Sequence, residues 1–225
     1  IGGNTTGIDT TRNSGTFDAH GNLFIADGAV AASQRIYLIN GAAGTAPTAQ
    51  RIALAADPNP PAGYTGINQV NVGDLAYNHT ESSATTAVLY GTRNVESASI
   101  RLYRIKIDLA TFTAQVSRIA TTLPTGGTYR SAYLDASGNL LISANSNAFY
   151  RIDRATGAAT PLRAAHGTNT SNTDGTTCLT LPLIDVVKQA QAPVAVINGH
   201  TFDVPYTLTV GNTGTVNAPN VQLSD

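Results

Sequence analysis

"GTYRSAYLDASGNLLISANSNAFYRIDRATGAATPL" occupies Gly127–Leu162, and its opening phrase has a near copy in "GTFDAHGNLFIADG", Gly15–Gly28. Asp-Ala-x-Gly-Asn-Leu is written at Asp18 and again at Asp135, 117 positions later. Both copies are followed by Tyr-x-Ile, as Tyr37-Leu-Ile and Tyr150-Arg-Ile. Between the repeated phrases lie short runs of alternating apolar and polar residues, which is the period of a half-buried strand. The connections are Ser-Gly-Asn and Arg-Ala-Thr-Gly, rich in residues that tolerate the left-handed backbone of tight hairpins. The segment therefore reads as four antiparallel strands: Tyr129-Arg-Ser-Ala-Tyr-Leu-Asp, Leu140-Leu-Ile-Ser-Ala, Phe149-Tyr-Arg-Ile-Asp and Ala158-Ala-Thr-Pro-Leu.

The same grammar appears three times. Residues 15–55 close with "TAQRIAL" (48–54). Residues 72–120 run through Gly73-Asp-Leu-Ala-Tyr, Val88-Leu-Tyr-Gly and Tyr103-Arg-Ile to "TAQVSRIA" (113–120). Tyr103 and Tyr150 are 47 residues apart, and Tyr37 and Tyr103 are 66 apart. The longer interval holds two inserts, "DPNPPAGYTG" (57–66) and "NHTESSATT" (78–86). Four-stranded units recurring every ~40–50 residues predict β-propeller blades, each needing a neighbour to cover its exposed face. Three blades fall short of the four that closure requires. The expectation is an incomplete propeller over residues 1–183.

Composition agrees with an all-β chain. Only 12% of the 225 residues are charged, about half the usual share of ~25%. Two lysines (Lys106, Lys188) stand against eleven arginines, and the formal net charge is −1. A nucleic-acid partner would need a clustered basic face, so none is expected. No apolar run reaches the ~18 residues of a membrane span, so no membrane insertion is expected. Cys178 is the single cysteine, which excludes an internal disulfide and a cysteine metal cluster. A chain lacking Met and starting at Ile1 reads as a processed or excised segment. Few charges and one Cys point to a secreted, extracellular location on a cell surface.

The blades resemble a family of secreted bacterial propeller domains built on "LYRIDxATGxxTxL" repeats, matched by "AFYRIDRATGAATPL" at 148–162. The resemblance spans residues 15–182, and "NTDGTTCLTLPL" (172–183) looks like the Asp-Gly-x-x-Cys segment that closes such domains. It implies membership of a large surface protein and carries no activity with it.

After Leu183 the vocabulary changes. Strict alternation in Phe202-Asp-Val-Pro-Tyr-Thr-Leu-Thr-Val predicts a strand, and "GNTGT" turns the chain. Tyr206–Asp225 fits "YTLTVxNTGxxxxxNVxxxD" and so resembles the conserved-repeat Ig-like modules of bacterial surface proteins. A sandwich takes about seven strands over roughly 100 residues, so residues 184–225 amount to the N-terminal part of a module. Its apolar set, Val204, Tyr206, Leu208 and Val210, is the candidate self-assembly strand, with pairing to another copy giving an oligomer or filament.

Candidate chemistry is sparse. His20, His79, His166 and His200 have no ligand spacing and read as turn residues. No Gly-x-Ser-x-Gly or Gly-rich phosphate loop occurs, and "GAAGT" (41–45) and "GNTGT" (211–215) read as strand turns. Asp18, Asp74 and Asp135 are expected at equivalent blade positions. They would either ring a calcium ion or, more simply, accept backbone N–H groups in the following turn. Asp174 has the same two readings. The two glutamates, Glu81 and Glu96, lie in loops with nothing to pair them for glycoside hydrolysis. Tyr37, Tyr103 and Tyr150 read as inter-blade packing, with an exposed sugar platform as the alternative. Asn4, Asn78 and Asn169 open Asn-x-Thr/Ser sequons that double as turn signals. Cys178 is expected to be free and partly buried.

The functional expectation is a non-catalytic structural or adhesive surface segment with no cofactor and no metal. The alternative is a propeller that binds carbohydrate or protein through loops 57–68 and 78–87.

Overall fold

The structure is a computed structural model describing residues 14–27, 34–42, 44–93, 100–125, 127–135, 137–165, 184–192, 194–195 and 202–212. Glu96, His166, His200, Asp174, Cys178, Asn4 and Asn169 lie outside the described residues. The described secondary structure is entirely β, in two compact units, Ile1–Leu179 and Thr180–Asp225.

The first unit contains three antiparallel meanders. The first is β1 (Ser14–Phe17), β2 (Leu23–Asp27), β3 (Arg35–Asn40) and β4 (Thr48–Ala56). A two-residue strand, β5 (Thr65–Gly66), precedes the second meander. That meander is β6 (Ala76–Tyr77), β7 (Thr86–Arg93), β8 (Arg101–Asp108) and β9 (Thr113–Ala120). The third is β10 (Tyr129–Leu134), β11 (Leu140–Ala144), β12 (Phe149–Ile152) and β13 (Ala159–Arg163).

The repeated phrases are turn chemistry. The Asp18 carboxylate accepts the N–H groups of His20 (2.8 Å) and Asn22 (2.9 Å) and the Asn22 amide (2.9 Å). Asp135 does the same with Ser137 (3.0 Å), Asn139 (2.8 Å) and the Asn139 amide (2.7 Å). Gly21 and Gly138 each sit at φ 78°, which only glycine adopts without cost. Arg-Ala-Thr-Gly is a second such device. Asp153 caps the N–H groups of Ala155 and Thr156, as Asp108 caps Ala110 and Thr111.

Alternation along each strand defines two faces, one of which carries Tyr-x-Ile. In the second meander that face, with Leu75, Tyr77, Leu89, Tyr103 and Ile105, packs on Phe24, Ala26, Ile36 and Leu38 of the first. Its opposite face, with Ala76, Val88, Tyr90 and Leu102, packs on Ala132, Leu134, Leu140, Ile142 and Ile152 of the third. The middle meander is thus buried on both sides. Each fully buried Leu or Ile contributes on the order of 2 kcal/mol, and a lone meander could bury neither face. Polar ties add specificity between the first two meanders. The Gln34 amide bonds both ways to the Val72 backbone, at 2.9 and 2.6 Å.

Two sequence expectations are corrected. Separate four-stranded sheets were expected, but β4 pairs in parallel with β9, joining the first two meanders in one nine-stranded sheet that also includes β5. Its far edges also approach, with Tyr77 N–H donating to Thr16 Oγ1 at 3.2 Å. The result is a nearly closed, barrel-like sheet around the first core. The third meander is a separate four-stranded sheet. Secondly, Asp74 is not the counterpart of Asp18 and Asp135. Those two follow β1 and β10, whereas Asp74 precedes β6. Asn78 stands in the equivalent place, accepting Thr80 N–H at 3.0 Å. Asp74 instead accepts the Leu75 and Ala132 N–H groups, both at 2.8 Å, tying the second meander to the third.

The second unit, among the described residues, is a ribbon. β14 (Ile184–Ala190) pairs antiparallel with β17 (Tyr206–Asn212), and β15 (Val194–Ala195) pairs with β16 (Phe202–Asp203).

Candidate functional site

Both inserts that interrupt the repeat end at one cleft between the second and third meanders. Its volume is about 710 Å³, and Tyr64, Glu81, Tyr90, Arg104, Asn139 and Arg154 are among its lining residues. The first insert supplies Tyr64, whose hydroxyl donates to the Arg154 carbonyl at 2.6 Å. The second replaces the Asp-x-x-Gly-Asn turn with a longer loop and delivers Glu81. Asn78 N–H, bonded to Val88 O at 2.8 Å, anchors that loop, and the Asn78 amide donates to Glu81 at 2.7 Å.

Glu81 is the hub. It pairs with Arg104 at 3.1 Å and with Arg154, and it accepts from the Tyr90 hydroxyl at 3.0 Å. Arg104 projects from β8 on the face opposite Tyr103 and Ile105, and Arg154 comes from the Arg-Ala-Thr-Gly turn. The Arg154 guanidinium also lies 5.5 Å from the Tyr90 ring centroid, a cation–π contact. Burial, reinforced by the Glu81 charge, pushes the Tyr90 phenol up to about 12. Burial, with Tyr90 beside it, also raises the Tyr64 phenol. Both phenols are neutral donors at physiological pH. The arrangement therefore gathers two guanidiniums, two phenolic hydroxyls and the Asn78 amide in one network about the Glu81 carboxylate. It also ties two sheets together.

Glu81 lies in a loop as expected, and that loop seats it against Arg104, Arg154 and Tyr90, contacts the sequence did not predict; any pairing with Glu96 lies outside the described residues. The usable signal was the insert itself, since a residue that breaks a repeat is free of the repeat's packing duty. Asn78, although in a sequon, is fully buried and accepts Thr80 N–H within its own turn. Tyr37 and Tyr103 are buried, each on the Tyr-x-Ile face of its own meander but not in a common core, while Tyr150 packs edge-on to Tyr129 at 6.0 Å. These three tyrosines form no common platform. Among the described residues no group of three or more His, Cys, Asp or Glu is placed to hold a metal ion. No described helix is long and apolar enough to cross a membrane.

The candidate assembly strand lies in the second unit. Tyr206, Leu208 and Val210 share one face of β17, opposite Ala190, Lys188 and Val186, and Val204 precedes the strand. All four are exposed, at 37–54%. Lys188 Nζ sits 4.6 Å from the Tyr206 ring centroid, shielding part of it.

Recurring turns, phased faces and stacked meanders define an all-β repeat protein. The chain belongs to the family described as a repeat of unknown function (DUF6923), which it matches over residues 1–180. No curated protein and no solved structure matches it.

Proposed function

We propose that this chain is a non-catalytic structural or adhesive segment of a secreted cell-surface protein. Its three meanders act as propeller-type blades, and residues 184–225 open an Ig-like module. The observation that carries this reading is the middle meander, buried on both faces in phase with the repeat, as a blade between two blades would be. The exposed row of Tyr206, Leu208 and Val210 beside Val186 is what a sandwich sheet offers before its second sheet covers it. Pairing of that ribbon with another copy would build a fibre by strand addition. Leu208→Asp in the full chain should then abolish concentration-dependent fibre growth in light scattering. Undiminished growth in that variant overturns the assembly role.

A second reading rests on the cleft. Convergence of both inserts on Tyr64, Tyr90 and Arg154 favours a carbohydrate-binding surface, since aromatic and guanidinium groups together serve sugar faces and hydroxyls. Saturable binding on a glycan array, lost in Tyr64→Ala, would support it. A scaffold alone gives no saturable signal.

A further inference from the structure

The two internal junctions obey one rule: the face opposite Tyr-x-Ile of one meander receives the Tyr-x-Ile face of the next. In the first junction Phe24 stacks on Tyr77, with ring centroids 6.4 Å apart and planes 10° from parallel. The ladders make Phe24, Tyr90 and Leu141 equivalent on one face and Phe17, Tyr77 and Leu134 equivalent on the other. Tyr90 and Leu134 belong to one core, so the second junction brings the same two faces together as the first, without the strand pairing that β4 and β9 add there.

Three meanders use two junctions and leave one face of each type. The third meander presents Tyr133, Leu141 and Phe149, all half-buried, with the Tyr133 and Phe149 rings 5.6 Å apart. The first presents Phe17, 37% exposed, in a row with the half-buried Leu23 and Ile39, beside Tyr37, which is already buried on that face.

We propose that these two faces are one head-to-tail interface, occupied by a second copy of this chain. Leu141 of one copy meets the partner's Phe17 as Phe24 meets Tyr77. The proposal rests on the blade reading above. A second copy supplies both missing faces at once, so two junctions close a ring of six meanders, within the ~4–8 blades of propellers. The row Leu141, Arg151, Thr160 repeats the row Tyr90, Arg104, Ser117 of the buried second junction, so this face is complementary to the same kind of partner.

The test is sedimentation velocity of the full chain carrying Leu208→Asp, which removes ribbon assembly. A dimer is expected, with Phe17→Asp and Leu141→Asp each weakening it by about 100-fold or more, since either change damages both junctions. Mixing the two variants should restore association, because one junction then joins an intact Leu141 to an intact Phe17. A monomer at high concentration, or a dimer that persists in both variants, overturns the proposal. Hydrogen exchange separates this from failure of the blade reading. Protected amides at Val88, Leu102 and Leu140 in a monomer leave the stacked meanders standing, whereas rapid exchange there removes them too.

Discussion

Glu81→Gln tests whether the cleft network holds the second and third meanders together. The substitution keeps shape and removes the charge that two guanidiniums and the Tyr90 hydroxyl share. Side-chain exposures are 31% for Glu81, 15% for Arg104 and 25% for Arg154. A fully exposed pair is worth ~0–1 kcal/mol, and breaking a fully buried one costs ~3–5 kcal/mol. This network lies between those limits, and a loss of about 2 kcal/mol follows. For a unit of this size that lowers the melting temperature by about 4–8 °C. Thermal unfolding followed by circular dichroism reads the shift. Tyr90 provides a second signal. Glu81 raises its phenol by charge in addition to burial, so Glu81→Gln should bring tyrosinate absorbance in at lower pH. An unchanged melting temperature together with an unchanged tyrosine titration would show that the carboxylate does no work in joining the sheets.

Leu89→Ala opens a cavity in a fully buried site between the first two meanders and should cost ~2–5 kcal/mol in chemical denaturation, against much less for Leu141→Ala on the outer face. Gly157→Ala should destabilise by more than ~1 kcal/mol, because Gly157 has φ 74° and a Cβ there would overlap the Ala120 carbonyl; a neutral result would refute the turn geometry. Burial alone would raise the Asp135 carboxyl, but the Asn139 amide and the N–H groups of Asn139 and Ser137 hold it below its ordinary 3.8. The unfolded chain therefore binds that proton more readily, so the group stabilises the fold above 3.8 and the benefit vanishes as pH falls through the lowered value. Acid titration of stability should accordingly be shallower in Asp135→Asn than in the parent.

Much of this fold is local, and what is local could be read from the chain. Asp-x-x-Gly-Asn and Asp-x-Ala-Thr-Gly specify their turns through carboxylate-to-backbone bonds and a left-handed residue, interactions spanning at most four positions. Alternation places Tyr-x-Ile on one face and its neighbours on the other, so the three meanders and their cores follow from the repeat. Where an anchor was short, the reading slipped. β6 has only two residues, so Gly73-Asp-Leu-Ala-Tyr could be set on either side of the turn, and Asp74 was placed four residues from its true counterpart, Asn78. The parallel β4–β9 pairing left no mark in the sequence, because backbone donors at an edge carry no side-chain signature and pair with whatever packing brings alongside. The cleft belongs to the same class. Glu81 and Arg154 are 73 positions apart, and only the stacking of one sheet on another puts a loop carboxylate within reach of a guanidinium from the next meander's turn.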